Sequence, residues 1–121
     1  MGYKELIKKM QQDSGLSSTE SKESMELMVE SIAERLGSSE RHEFAEQLPE
    51  ELQEVAMTAL PAGLEDGRDI LHEFMEKENV QEEYATKQIN AAWQSLKSLI
   101  GDAQLSTHIR TFIPATVIAA M

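Results

Sequence analysis

Two stretches of the chain share the pattern H-E-x-x-E: His42-Glu43-Phe44-Ala45-Glu46 and His72-Glu73-Phe74-Met75-Glu76. On a helix each would present its histidine and second glutamate at i and i+4, the spacing of two metal ligands on one face. A metal-dependent activity near His42 or His72 is the chemistry such residues would support. A zincin pattern needs a second histidine at the last position and a third ligand elsewhere, and neither is visible. A di-iron carboxylate bundle needs two inward Glu-x-x-His pairs; the nearest match is Asp69-x-x-His72, which occurs once. With 22 acidic residues in 121, coincidences of this kind come easily, so both motifs read first as surface polar residues. No metal and no cofactor is expected.

The remaining catalytic repertoire is thin. There is no cysteine, hence no thiolate nucleophile, no Cys-based zinc or iron–sulfur site and no disulfide. No serine sits in a G-x-S-x-G elbow, and no G-x-G-x-x-G or phosphate-binding loop occurs. No residue stands out as catalytic.

Charge is more informative. Lys and Arg number 11 against 22 Asp and Glu, for a net charge of −11, which opposes direct binding to nucleic acid or anionic lipid. The asymmetry is marked: Glu20 to Glu54 carries a local net of −8, whereas Ala85 to Met121 carries +2. Glu23, Glu26, Glu30 and Glu34 fall at steps of three and four, so one helix would bear them as a single acidic ridge opposite its apolar face. That ridge is a candidate docking surface for a basic partner; its plain alternative is a solvated face that keeps the protein soluble.

These residues must be positioned by helices, because apolar residues recur with helical spacing throughout. Tyr3, Leu6, Ile7 and Met10 share one face of a first helix that Gly15 breaks. Ser17-Ser18-Thr19-Glu20 offers a capping box for a long second helix carrying Met25, Met28, Val29, Ile32 and Leu36. Gly37 is expected to stop it in a left-handed cap. Phe44, Ala45 and Leu48 mark a third helix, and Pro49 opens a fourth with Leu52, Val55 and Ala56. No strand pattern occurs.

Residues 60–67, with one Pro and two Gly, read as a linker, after which the pattern starts again. A shift of 64 superposes Leu6 on Ile70, Met10 on Phe74, Met25 on Ile89, Val29 on Trp93, Leu36 on Ile100 and Gly37 on Gly101. One inserted residue then superposes Leu48-Pro49 on Ile113-Pro114. The expected fold is all-α: about eight helices in two pseudo-equivalent four-helix repeats (1–60 and 68–121) forming one compact domain. Trp93, the only tryptophan, falls on the apolar stripe of the sixth helix and reads as a core anchor.

The run Arg35-Leu36-Gly37, then Glu40, then Phe44-Ala45-Glu46-Gln47-Leu48-Pro49-Glu50-Glu51-Leu52 resembles the signature of a bacterial family, domain of unknown function 2267. The resemblance implies a small all-helical protein with a duplicated repeat and a QLP-E-L step. The second repeat departs from it, because Phe112-Ile113-Pro114-Ala115-Thr116-Val117 keeps the proline and loses the acidic pair. It implies no activity and no site residues.

The C-terminal stretch has its own signal. From Leu105 to Met121 Arg110 is the one formal charge, and the last helix has no strongly polar face. Val117, Ile118 and Met121 are therefore a candidate apolar interface, covered either by the first repeat or by a second copy in a homodimer. No signal peptide, myristoylation site or membrane-length apolar run is visible, so the expected location is the cytoplasm. The expected function is that of a non-catalytic helical interaction or scaffold protein with a protein partner. The alternative is an acidic binder or decoy for a basic, possibly nucleic-acid-binding, partner.

Overall fold

Short-range chemistry sets the helix ends. The computed structural model describes residues 2–60 and 69–119; apart from Leu60, the expected linker lies outside them. The first helix, α1 (Tyr3–Ser14), ends where Gly15 turns left-handed at φ 78°, a conformation that costs glycine nothing. Ser17 then caps α2 (Ser18–Arg35) with a complete capping box: its hydroxyl accepts from Glu20 N, and Glu20 reaches back to the Ser17 amide.

The stop after α2 differs from expectation. Leu36 swings into extended backbone, and Gly37, at φ −68°, is an ordinary extended N-cap for α3 (Ser38–Glu46). The chain starts a new helix at once, so no left-handed residue is needed there. Pro49 sits one position outside α4 (Glu50–Thr58), as its N-cap, where its missing N–H leaves no bond unmade. After residue 68 follow α5 (Ile70–Glu78), α6 (Glu82–Leu96), a 3-10 turn over Lys97–Leu99, α7 (Ala103–Arg110) and α8 (Ala115–Ala119). Among the described residues there are eight α-helices and no strand. The accessible surface, 6566 Å², is close to the roughly 6,600 Å² of a compact monomer of this mass.

The two longest helices, α2 and α6, pack on each other and organise the rest. Four helices press on α2: α1, α4, α5 and α6. Most of its circumference is therefore buried, including Met25, Leu27, Met28, Val29, Ile32 and Ala33 and also Ser21, Ser24 and Ser31. The expectation of a broad solvated face on this helix is corrected: a helix with four neighbours has only a narrow strip left for water. Small side chains make this crowding possible, with serines on α2 meeting a helix that buries Ala85, Ala91, Ala92 and Ser95. Phe44, Phe74, Leu52, Ile70, Ile89 and Ile109 fill the space around them, and Trp93 is 3% exposed.

Polar pins fix the outer helices. The Arg41 side chain donates to the Ala33 and Ala59 carbonyls and so ties the end of α4 to α2. Gln47 Oε1 accepts from Gly101 N at 2.7 Å, and His108 Nδ1 lies 2.8 Å from Glu40 Oε2, both linking α3 to the α6–α7 region.

Two predictions follow from this core. Trp93→Ala should cost about 3–5 kcal/mol in denaturant unfolding, against less than about 0.5 kcal/mol for Glu23→Ala on the exposed strip. The hydroxyls of Ser24 and Ser95 are buried without a hydrogen-bond partner among the described residues. Ser24→Ala and Ser95→Ala should therefore be neutral or stabilising by up to about 1 kcal/mol, because each removes a desolvated polar atom; a clear loss of stability in either would contradict this.

Candidate functional site

Charge is buried where α2 ends against the start of α5. Asp69 caps α5 by accepting from His72 N at 2.9 Å, which places Glu73 in the first turn and on the covered face. Glu73 is 2% exposed. An isolated carboxylate could not stay ionised there, and it does not stand alone. Arg35 Nη1 donates to Glu73 Oε1 at 3.0 Å and to the Ser31 carbonyl at 2.8 Å. One turn along α5, Lys77 Nζ lies 3.2 Å from Glu73 Oε2, 3.4 Å from Glu30 Oε1 and 3.7 Å from Glu34 Oε1. Three carboxylates thus gather round one ammonium and one guanidinium.

The protonation of these groups diverges. Burial alone would raise the Glu73 carboxyl, but the Arg35 hydrogen bond and charge, with help from Ser31 and Lys77, hold it below the ordinary glutamate value. Glu34, its side chain 13% exposed, is pushed up to about 7 by burial first and then by the Glu73 charge, with Lys77 opposing. Burial would lower Lys77, but the surrounding carboxylates outweigh it and raise its affinity for a proton. The pair therefore consists of one glutamate held ionised and one poised near neutrality.

A cleft of about 480 Å³ opens beside this pair. Glu30, Glu34 and Lys77 line it on one side, and Val55, Thr58, Ala59 and Leu60, from the end of α4, line it on the other. Leu60 is 79% exposed and Met57, on the same helix, 47%; these are the large exposed hydrophobic side chains of the described residues.

The expected acidic ridge is divided by this arrangement. Glu23 and Glu26 are exposed, whereas Glu30 and Glu34 are drawn to Lys77. His42 Nε2 meets Glu46 Oε1 at 3.1 Å across one turn of α3, and both are exposed. His72 turns instead to Asp69, with Nδ1 2.7 Å from Oδ1, so the two H-E-x-x-E stretches behave differently. Among the described residues no group of three or more His, Asp or Glu is placed to hold a metal ion. Val117 is fully buried in a helix that packs on α6, Ile118 is half-buried, and Met121 lies outside the described residues.

The charged pair itself was not among the candidates. A signal for it was present: Ile70, Glu73, Phe74 and Lys77 follow the i, i+3, i+4, i+7 spacing of an apolar stripe, with charges in two of its places.

An all-helical fold of this length with the Gln47-Leu48-Pro49 step at the α3–α4 turn agrees with one known family, described as uncharacterized conserved protein (DUF2267), which matches residues 3–119. The chain belongs to the DUF2267 family. No curated protein and no solved structure matches it. The matched span of this DUF2267 chain includes all eight helices, the charged pair and the cleft. No helix among its described residues is long and apolar enough to cross a membrane.

Glu73→Ala should cost about 3–5 kcal/mol, because it strands Arg35 without its buried counter-charge. Glu30→Ala, at the half-exposed end of the same cluster, should cost less than about 1 kcal/mol. The pH dependence has a definite sign. Glu34 binds its proton more tightly folded (about 7) than unfolded (4.5), so its contribution is fully present at acid pH and is lost as pH rises through that window. Glu34→Gln should therefore gain stability relative to the parent between about pH 5 and about pH 8. Thermal melts that show a constant difference across that range would contradict the assignment.

Proposed function

We propose that this DUF2267 chain is a non-catalytic, cytoplasmic helical interaction module that docks a protein partner in the cleft between α2, α4 and α5. The observation that carries the reading is the coincidence of exposed Leu60 and Met57 with that cleft. A folded domain rarely leaves large apolar side chains in water beside a concave, partly charged surface unless something covers them. The acidic wall adds orientation, because Glu30 and Glu34 favour a partner whose contact segment is apolar and basic.

The contact is assigned to the cleft and not to α8. Val117 is already covered within the chain, and Ile118 alone falls far short of the roughly 800 Å² per partner of a stable homodimer. The purely electrostatic alternative, an acidic decoy for a basic partner, rests on the local charge of the first half, of which Glu23 and Glu26 remain freely exposed. Duplication is part of the same proposal. Its support is that helix ends recur at a step of 64: left-handed caps at Gly15 and Asn79, extended N-caps at Ser17 and Gln81, extended C-caps at Leu36 and Ile100.

Affinity capture from the native cell, run in parallel with the parent and Leu60→Asp, tests the reading. The parent should retain specific proteins that the variant loses, and retention should survive salt raised to about 0.5 M, where exposed charge pairs are screened. Identical capture by both would refute docking at the cleft. Loss of all capture at high salt would favour the decoy.

A further inference from the structure

We propose that the cleft seats one Lys or Arg side chain of the partner segment, next to an apolar side chain of that segment lying on Val55, Ala59 and Leu60. This rests on the docking reading above and specifies the chemistry of its occupant. The apolar wall is continuous with the exposed end of α4, so an apolar residue has a place to lie. The opposite wall is one positive charge short. Glu30, Glu34 and Glu73 all lie within 3.7 Å of Lys77 Nζ, and the second cation, Arg35, is directed to Glu73 and the Ser31 carbonyl. With all three carboxylates ionised, one negative charge is left over against the two cations, and it faces the cleft where Glu30 and Glu34 line it. Lys77 is half-exposed on a flexible stem, so it can share the carboxylates with an incoming cation.

Glu34 then sets when the seat is open. The groups acting on it are Glu73 and Lys77 from α5 and Glu30 and Arg35 from its own helix. From α4 the cleft receives Val55, Thr58, Ala59 and Leu60, none of which titrates, and its lining holds no residue of α1 or α6. Protonated, Glu34 leaves the cluster neutral and the cation unwelcome. Ionised, it restores the missing charge. Occupancy should therefore rise with pH through neutrality.

The test uses n-hexylammonium as the minimal probe and 1-hexanol as its uncharged match, followed by amide chemical shifts of the full chain. At about pH 8 hexylammonium should shift residues 30–34, 55–60 and 73–77 and bind more tightly than hexanol; at about pH 6 it should weaken by up to about tenfold. Glu34→Gln should bind hexylammonium at the higher pH as weakly as the parent does at the lower, with no pH dependence left. Lys77→Met, which removes the competing ammonium, should tighten hexylammonium several-fold and gives an independent reading should Glu34→Gln fold poorly. Equal binding of hexanol and hexylammonium at the cleft, or unchanged affinity in Lys77→Met, would overturn the cation seat. Those outcomes leave docking itself to be judged by Leu60→Asp, which fails separately.

Discussion

The ion pair between Arg35 and Glu73 is the constraint on which the charged end of the molecule depends. Both side chains are nearly removed from water, and neither could be there without the other. Their bond fixes the end of α2 against the first turn of α5 at one register, which brings Lys77 over Glu30 and Glu34. Were α5 to slip by one residue, Glu73 would leave Arg35 and the ammonium would leave its carboxylates. A buried pair of this kind adds little net stability, since two desolvation costs offset most of the attraction. Its effect is to make one arrangement of two helices much better than its neighbours, and the cleft inherits that definition.

A second constraint is crowding around α2. A helix with four packed neighbours cannot present a broad polar face, and the residues that let neighbours approach are serines, not leucines. Ser24 reaches zero exposure with its hydroxyl unpartnered, a cost accepted for close approach. The same crowding decides the fate of the glutamate ridge. Glu23 and Glu26 lie beyond the reach of α5 and stay in water, while Glu30 and Glu34, one and two turns further on, meet Lys77.

What was legible in the sequence follows from the range of each cause. Gly15, the Ser17–Glu20 capping box and the apolar stripes act within four or five residues, so they could be read directly, and the helices start where they indicate. Gly37 looked like a left-handed stop because glycine usually is one; only the immediate start of α3 makes extended backbone sufficient there. Glu34 looked like any solvated glutamate because periodicity describes one helix at a time and is blind to a neighbour 38 or more residues away. For the same reason the pairing of Arg35 with Glu73 was out of reach, although a Glu and a Lys on the stripe of α5 marked that helix as carrying something other than plain core.

The unlike protonation of Glu34 and Glu73 can be traced further, to the ends of the helices that carry them. Aligned peptide dipoles leave a helix partly positive at its N-terminus and partly negative at its C-terminus. Glu73 lies in the first turn of α5, where that field favours a carboxylate; Glu34 lies in the last turn of α2, where it opposes one. Arg35, in the same last turn, is favoured there and is aimed at Glu73. Lys77, in the last turn of α5, is favoured too. The helix fields thus act in the same direction as burial and pairing at every one of these side chains. Two chemically identical glutamates side by side are driven apart in proton affinity by the opposite polarity of the helix ends on which they stand. The seat for a cation needs that difference, because one charge must stay fixed to hold the fold while the other is free to change.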